Sequence, residues 1–359
     1  MLLETINSPA DLKKLHLSQL IELAAEIRPF ITKVISGTGG HLASNLGTVE
    51  LTIALHYVFD TPHDKIVWDV GHQCYTCKLL TGRRDSFYTI RQDGGLSGFP
   101  CKAESPYDIF DTGHASNSIS VATGLAESKI KTGSTSKIIA VIGDGSLTGG
   151  MAFEALNHAG HLRSDLIVVL NDNEMSISKN VGGLSTHLNR IMTGEFMSNI
   201  REELKARMKN MPTIYKTARY LEETVKGIFG PGIFFEELGF TYVGPVDGHN
   251  IESLCETFRN VSRLKGPLLV HVITRKGKGY AYAEDDPERF HGISTFELTT
   301  GNCLSKGKKT YTDVFGDTII DLARMDERIV AITAAMGLGT GLDKFSDMFP
   351  DRFYDIGIA

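Results

Sequence analysis

Lys137–Leu156 reads KIIAVIGDGSLTGGMAFEAL, and Asp165–Ser178 reads DLIVVLNDNEMSIS. Each opens on a short aliphatic, β-branched run, Lys137–Ile142 and Asp165–Leu170, which predicts a strand. The first run stops at Gly143-Asp144-Gly145, and apolar residues at helical spacing resume over Met151–His161. A strand, a glycine turn, a helix and a second strand make a βαβ unit with parallel strands. Working outward, similar runs recur at Lys65–Val70, Leu268–Thr274 and Arg328–Thr333. Helix-face spacing recurs over Leu46–Phe59, at Leu51, Ala54, Leu55 and Val58, and over Ser116–Lys129. This alternation predicts an α/β fold: a doubly wound, mostly parallel sheet with helices on both faces.

In such sheets, ligands bind beyond the carboxyl ends of the strands. Three glycine turns are predicted there, each where a strand hands over to a helix: Val70-Gly71-His72, Thr112-Gly113-His114 and Ile142-Gly143-Asp144-Gly145. A diphosphate held through Mg²⁺ needs hard oxygen ligands and closely approaching backbone amides. It also favours a helix N-terminus. Gly143 and Gly145 let the backbone turn and approach, while Asp144 offers a carboxylate between them. Asn171-Asp172-Asn173 ends the next strand and adds a neutral carbonyl ligand. Asp144 and Asn173 can therefore meet at one ion. A Walker A loop is excluded because no Lys follows the glycines. A dinucleotide fingerprint is excluded because Thr148 stands where its third glycine belongs.

The 359 residues have a formal net charge of −6, with 42% hydrophobic and 22% charged. That composition fits a globular protein and lacks the basic excess of a nucleic-acid binder. No apolar run reaches bilayer length, and the start has neither the basic nor the apolar stretch of a signal peptide. The chain reads as cytoplasmic, with no membrane and no nucleic-acid partner. Five scattered cysteines do not form a disulfide framework. Cys74 and Cys77 form a lone C-x-x-C, which lacks partners for a zinc site and reads as two ordinary thiols. Gly182–Gly239 breaks the α/β pattern and holds a charged helix near Arg201–Lys209. It reads as an insertion over the site, either a lid or a surface excursion. Gly301–Lys309 is polar and reads as a linker. A new helix-then-strand pattern begins at Tyr311.

The spaced pair GDG…NDN resembles the thiamin diphosphate motif of transketolases, pyruvate decarboxylases and their relatives. The surrounding wording narrows the likeness. Gly143–Gly160 (GDGSLTGGMAFEALNHAG), Asn171–Ser178, Gly39–Phe59 (GGHLASNLGTVELTIALHYVF), Trp68–Arg84 (WDVGHQCYTCKLLTGRR), Val243–Asn250 (VGPVDGHN) and Thr274–Gly292 (TRKGKGYAYAEDDPERFHG) together resemble the 1-deoxy-D-xylulose-5-phosphate synthase family. The likeness runs from about Leu12 to Ala359.

The resemblance implies a thiamin diphosphate-binding fold in a transferase. Its reaction condenses pyruvate with glyceraldehyde 3-phosphate and releases CO₂, supplying isoprenoid, thiamine and pyridoxal synthesis. It implies a homodimer using thiamin diphosphate and Mg²⁺. Asp144 and Asn173, with the backbone carbonyl of Met175, would hold the metal. His72, Gly113, His114, Ala115, Gly145, Ser146, Asn173 and Tyr280 would contact the cofactor. His41 and His291 would stand beside the reacting carbon, where an imidazole titrating near neutrality can move protons. Residues 1–300 would form the diphosphate-binding domain with a lid-like insertion at about 182–239. Residues 301–310 would be a linker, and 311–359 the start of a pyrimidine-binding domain.

Three departures stand out. Ala115 and Asn117 replace hydroxyl residues of the family's usual GHSST. Cys77 stands where many members have histidine. The sequence also ends just before the family's Glu-Gln, whose glutamate bonds the cofactor's pyrimidine ring. On the sequence alone, the chain therefore reads as a fragment or one subunit of a split enzyme. A ketol transferase without decarboxylation, or a non-catalytic thiamin diphosphate-binding protein, stays open.

Overall fold

A computed structural model describes residues 1–173, 175, 183, 232–304 and 309–358. The predicted Arg201–Lys209 helix and nearly all of the 182–239 insertion lie outside the described residues. Five strands form one parallel sheet in the order β1-β2-β3-β5-β4. They are β1 (Lys65–Trp68), β2 (Ile138–Gly143), β3 (Ile167–Asp172), β4 (Thr241–Asp247) and β5 (Leu268–Ile273). Strand alternation sends successive side chains to opposite faces, and both faces are covered. Ile139, Val141, Val169 and Val270 pack with the helices Leu17–Thr38, Val49–Val58 and Ile251–Val261. Ile138, Ala140, Ile142, Val168 and Leu170 pack with Ser118–Thr132 and Gly150–Leu162 on the other side. The doubly wound architecture expected from the sequence is the one observed.

The differences have local causes. β3 runs past Leu170 through Asp172, because Asn171 and Asp172 pair with Val272 and Ile273 of β5. Their polar side chains are satisfied there. Thr274 Oγ1 donates to Asn171 Oδ1 at 2.7 Å, and His271 Nε2 lies 2.9 Å from Asp172 Oδ2. β4 is not predicted, since Gly244-Pro245 interrupts its apolar run. As an edge strand it tolerates the missing N–H, and its register shifts between Val243 and Val246. No strand leads into Thr112-Gly113-His114 among the described residues, contrary to the expected handover; turns and coil carry the chain there.

After the polar stretch, Tyr311–Met325 forms a helix. β6 (Ala331–Thr333) then pairs in parallel with β7 (Phe353–Asp355). Their core is small: Ile320, Ala323, Ala331, Leu342 and Phe345. Much apolar surface remains outside it, including Tyr311, Met325, Ile332 and Ile356. Among the described residues no helix is long and apolar enough to cross a membrane.

Candidate functional site

The register of the central strands sets the site. Gly143 of β2 stands opposite Asn171 of β3, so the segments following both strands leave the sheet side by side. A single helical turn, Asp144–Leu147, follows β2 at once, and the longer helix starts at Gly150. Asp144, Gly145 and Ser146 are buried in that turn. Gly143 and Gly145 let the chain turn without a left-handed backbone: Gly143 has φ −79° and Gly145 has no positive φ. A Cβ on Gly143 would meet nothing within 4 Å. That position faces a cavity of about 590 Å³. Its walls include Asp144, Gly145, Ser146, Asn173 and Met175. His72, Gly113, His114, Ala115 and His291 also line it.

Asn45 fixes the histidines. Its buried amide donates to the carbonyls of His41 and His72, both at 2.7 Å, and its Oδ1 accepts from Tyr75 N–H. The rings of His41, His72 and His291 lie within 5.0 to 5.5 Å of one another. Ser44 Oγ lies 3.1 Å from His72 Nε2 and 3.4 Å from His291 Nδ1, bridging the two imidazoles. Burial pulls His41 down to about 4 and His291 to about 3, and it holds His72 well below its usual value. All three are neutral at pH 7. The expectation that His41 and His291 titrate near neutrality therefore gives way: burial disfavours the imidazolium.

Asp69, just past β1, organises the loop that carries Gly113, His114 and Ala115. Its carboxylate accepts from the N–H groups of Ser116 and Ser118 at 2.8 and 3.0 Å. Ser116 Oγ in turn donates to the carbonyl of Ser146, joining this loop to the β2 turn. Lys276, beyond β5, is buried in the cavity wall. Burial lowers its amine to about 8 against the opposing pull of Asp144 and Glu288. Sequence reasoning missed Ser44, Asp69 and Lys276. Ser44 lies inside the quoted Gly39–Phe59 wording, and Lys276 lies inside Thr274–Gly292. Asp69 directly precedes a glycine turn, but an Asp beside a turn is too common to single out.

Two expected residues stand elsewhere. Tyr280 does not line the cavity; its hydroxyl donates to the Leu298 carbonyl, and its ring packs on Phe290 and Phe296. His41 packs edge-on against the His72 and His291 rings and does not line the wall. From the last segment, Ala334, Met336 and Ile358 do reach the cavity, and Thr148 Oγ1 donates to the Ile358 carbonyl at 3.4 Å. The C-x-x-C is buried and unbridged. Cys74 and Cys77 are buried free thiols, burial pushes both up, and Cys77 rises to about 12.

The donor set fits a hard cation carrying an anion. Asn173 Oδ1 and His72 Nδ1 are buried with no hydrogen-bond partner among the described residues. Buried polar atoms are rarely left so, and a ligand in the cavity would satisfy them. Asp144 and Asn173 supply oxygen donors of the type Mg²⁺ takes.

Comparison with known proteins identifies the family and the fold. The family sequence model described as 1-deoxy-D-xylulose-5-phosphate synthase matches residues 3–274. The chain is 56% identical to 1-deoxy-D-xylulose-5-phosphate synthase 1 of Geobacter sulfurreducens, over all of this chain and 57% of that protein. It is 55% identical to the synthase of Syntrophomonas wolfei, with the same coverage of each. The chain thus spans a little over half the length of these relatives. Among solved structures, transketolase from Campylobacter jejuni superposes with a TM-score of 0.56 at 17% identity, covering 96% of this chain and 62% of that one. Transketolase from Leishmania mexicana gives 0.54 at 16% identity, covering 96% and 61%. These two likenesses establish the fold. Profile and whole-chain identity together establish the family: the chain belongs to the 1-deoxy-D-xylulose-5-phosphate synthases.

Proposed function

We propose that the cavity holds thiamin diphosphate through Mg²⁺, and that the complete protein condenses pyruvate with glyceraldehyde 3-phosphate and releases CO₂. The observation that carries this reading is the pairing of Gly143 with Asn171, which sends Asp144 and Asn173 to one cavity wall. Asp144, Asn173 and the Met175 carbonyl would hold the metal. Gly145 and Ser146 would meet the diphosphate, and the space at Gly143 would admit it. His72, Gly113, His114 and Ala115 would line the rest. When bound, the cofactor supplies an electron sink for bond cleavage beside a carbonyl. This chain's part is to bind, orient and exclude water. His72 and His291, kept neutral and bridged by Ser44, offer hydrogen bonds without adding cationic charge to the wall.

Residues 1–300 would be the diphosphate-binding domain, 301–310 the linker, and 311–359 the start of the pyrimidine-binding domain. A homodimeric, cytoplasmic transferase serving isoprenoid and thiamine synthesis follows from the same family reading.

Calorimetry tests the binding step. Thiamin diphosphate should bind in a Mg²⁺-dependent way, and Asp144→Ala should weaken it by at least about tenfold, since even losing a partner that only supports a metal ligand costs about 10–100-fold. Unchanged affinity in Asp144→Ala would remove the basis of the reading. In the complete protein, CO₂ release from pyruvate should require glyceraldehyde 3-phosphate and the cofactor. Activity in stripped protein would contradict it.

A further inference from the structure

The segment Val246-Asp247-Gly248-His249-Asn250 has no part in the cofactor reading, yet it reaches the cavity wall through one imidazole. Arg275 N–H donates to His249 Nε2 at 2.8 Å. A backbone N–H can only donate, so Nε2 carries the lone pair and Nδ1 the proton. Nδ1 then donates to Glu50 Oε2, 3.1 Å away. The Arg28 guanidinium pairs with that same oxygen. All three side chains are largely buried, with 8 to 14% of their surface exposed. The tautomer and the orientation of the ring are thus set from behind by an ion pair, and the front of the ring grips a backbone amide.

That amide belongs to the turn that delivers Lys276. Thr274 is tied to Asn171 through Oγ1 and to the Asp172 carbonyl through N–H. Gly277 N–H donates to the Ala43 carbonyl at 2.9 Å. The exposed Arg275 side chain pairs with Glu284 at 2.8 Å, while its backbone N–H is held by His249. Gly47 lets this turn approach, since a Cβ there would stand 3.0 Å from the Arg275 carbonyl oxygen. Lys276 follows directly and turns into the cavity wall, under the pull of Asp144 and Glu288.

We infer that Glu50 and His249 are positioning residues: they hold the Arg275 peptide and so set where the Lys276 ammonium stands in the cavity. Its consequence for binding rests on the diphosphate reading above, whereas the placement of Lys276 does not.

Two readouts separate these. The first is a short acetic anhydride pulse on the chain without ligand, with Lys276 followed by peptide mass spectrometry against exposed Lys265. His249→Leu should raise Lys276 labelling at least about tenfold, as local opening exposes a buried amine. Glu50→Gln should raise it less. His249→Gln, which can still accept from Arg275 and donate to Glu50, should stay near the parent. The second is affinity for Mg²⁺–thiamin diphosphate in a double-mutant cycle. The pair His249→Leu/Lys276→Met should lose no more than Lys276→Met alone, because the first change acts through the second residue. A brace that only stabilises the fold would give additive losses and no rescue by glutamine. Unchanged Lys276 labelling in both His249→Leu and Glu50→Gln would overturn the inference. So would additive losses. Should His249→Leu fail to fold, Glu50→Gln set against His249→Gln makes the same comparison. A parent chain with protected Lys276 but no cofactor binding would sink the cofactor reading and leave the positioning pair standing.

Discussion

The two parallel sheets of this chain are built by the same rule and finished differently. In β2 and β3, ten aliphatic and amide-neighbour positions from Ile138 to Ile142 and Ile167 to Asn171 are all buried, and helices cover both faces. In β6 and β7, the middle residues Ile332 and Tyr354 are exposed, at 63% and 52%. Strand propensity is similar in both regions. What differs is the covering layer, so the contrast teaches that a parallel sheet is stabilised by what lies on its faces rather than by its ladder. Among the described residues a cavity opens at the carboxyl end of β2 and β3, and there the candidate site lies.

The largest expected effect sharpens that contrast inside the covered sheet. Leu170→Ala should destabilise by about 2–5 kcal/mol, the range for truncating a fully buried leucine; urea denaturation reads it directly. A loss under half a kcal/mol would mean that β3 is not the packed centre described here.

Gly143→Val probes the open end. Its φ is ordinary and its Cβ meets nothing, so the folded state should keep its melting temperature. Cofactor affinity should nevertheless fall by about tenfold or more, because the branched side chain occupies cavity space. Equal binding by Gly143→Val would place the ligand elsewhere.

Glu50 offers a pH probe on the covered side. Burial alone would raise its carboxyl, but hydrogen bonds from His249 and Arg28 outweigh it, so the group sits below its ordinary 4.5. Its contribution to stability is therefore complete above pH 4.5 and is lost as the pH falls through the lower folded value. Melting temperature against pH should fall less steeply below 4.5 in Glu50→Gln than in the parent. Parallel curves would contradict the network.

The smallest effect is expected on the uncovered sheet. Ile332→Ser should change stability by no more than about 0.5 kcal/mol, as surface substitutions usually do. A large loss would show that the face of β6 is covered in solution, erasing the contrast between the two sheets.

Much of this molecule follows from local sequence. Aliphatic, β-branched runs mark four strands of the large sheet, and GDG with NDN marks two adjacent strand ends, because both signals are local in the chain. Other features required the fold. β4 is hidden by Gly244-Pro245, and only its edge position lets it pair. Tyr280 lies in a glycine-flanked motif, but its hydroxyl turns to Leu298. The histidines read as near-neutral acids and bases until burial, a property of the assembled core, makes them neutral. Arg275 and His249 lie 26 residues apart, and nothing in the local sequence pairs that backbone N–H with that imidazole. Spacing along the chain determined which groups could bind a metal-held diphosphate. Tertiary packing decided which of them line the cavity and how far burial shifts their titration, because desolvation and approach are set by neighbours distant in sequence.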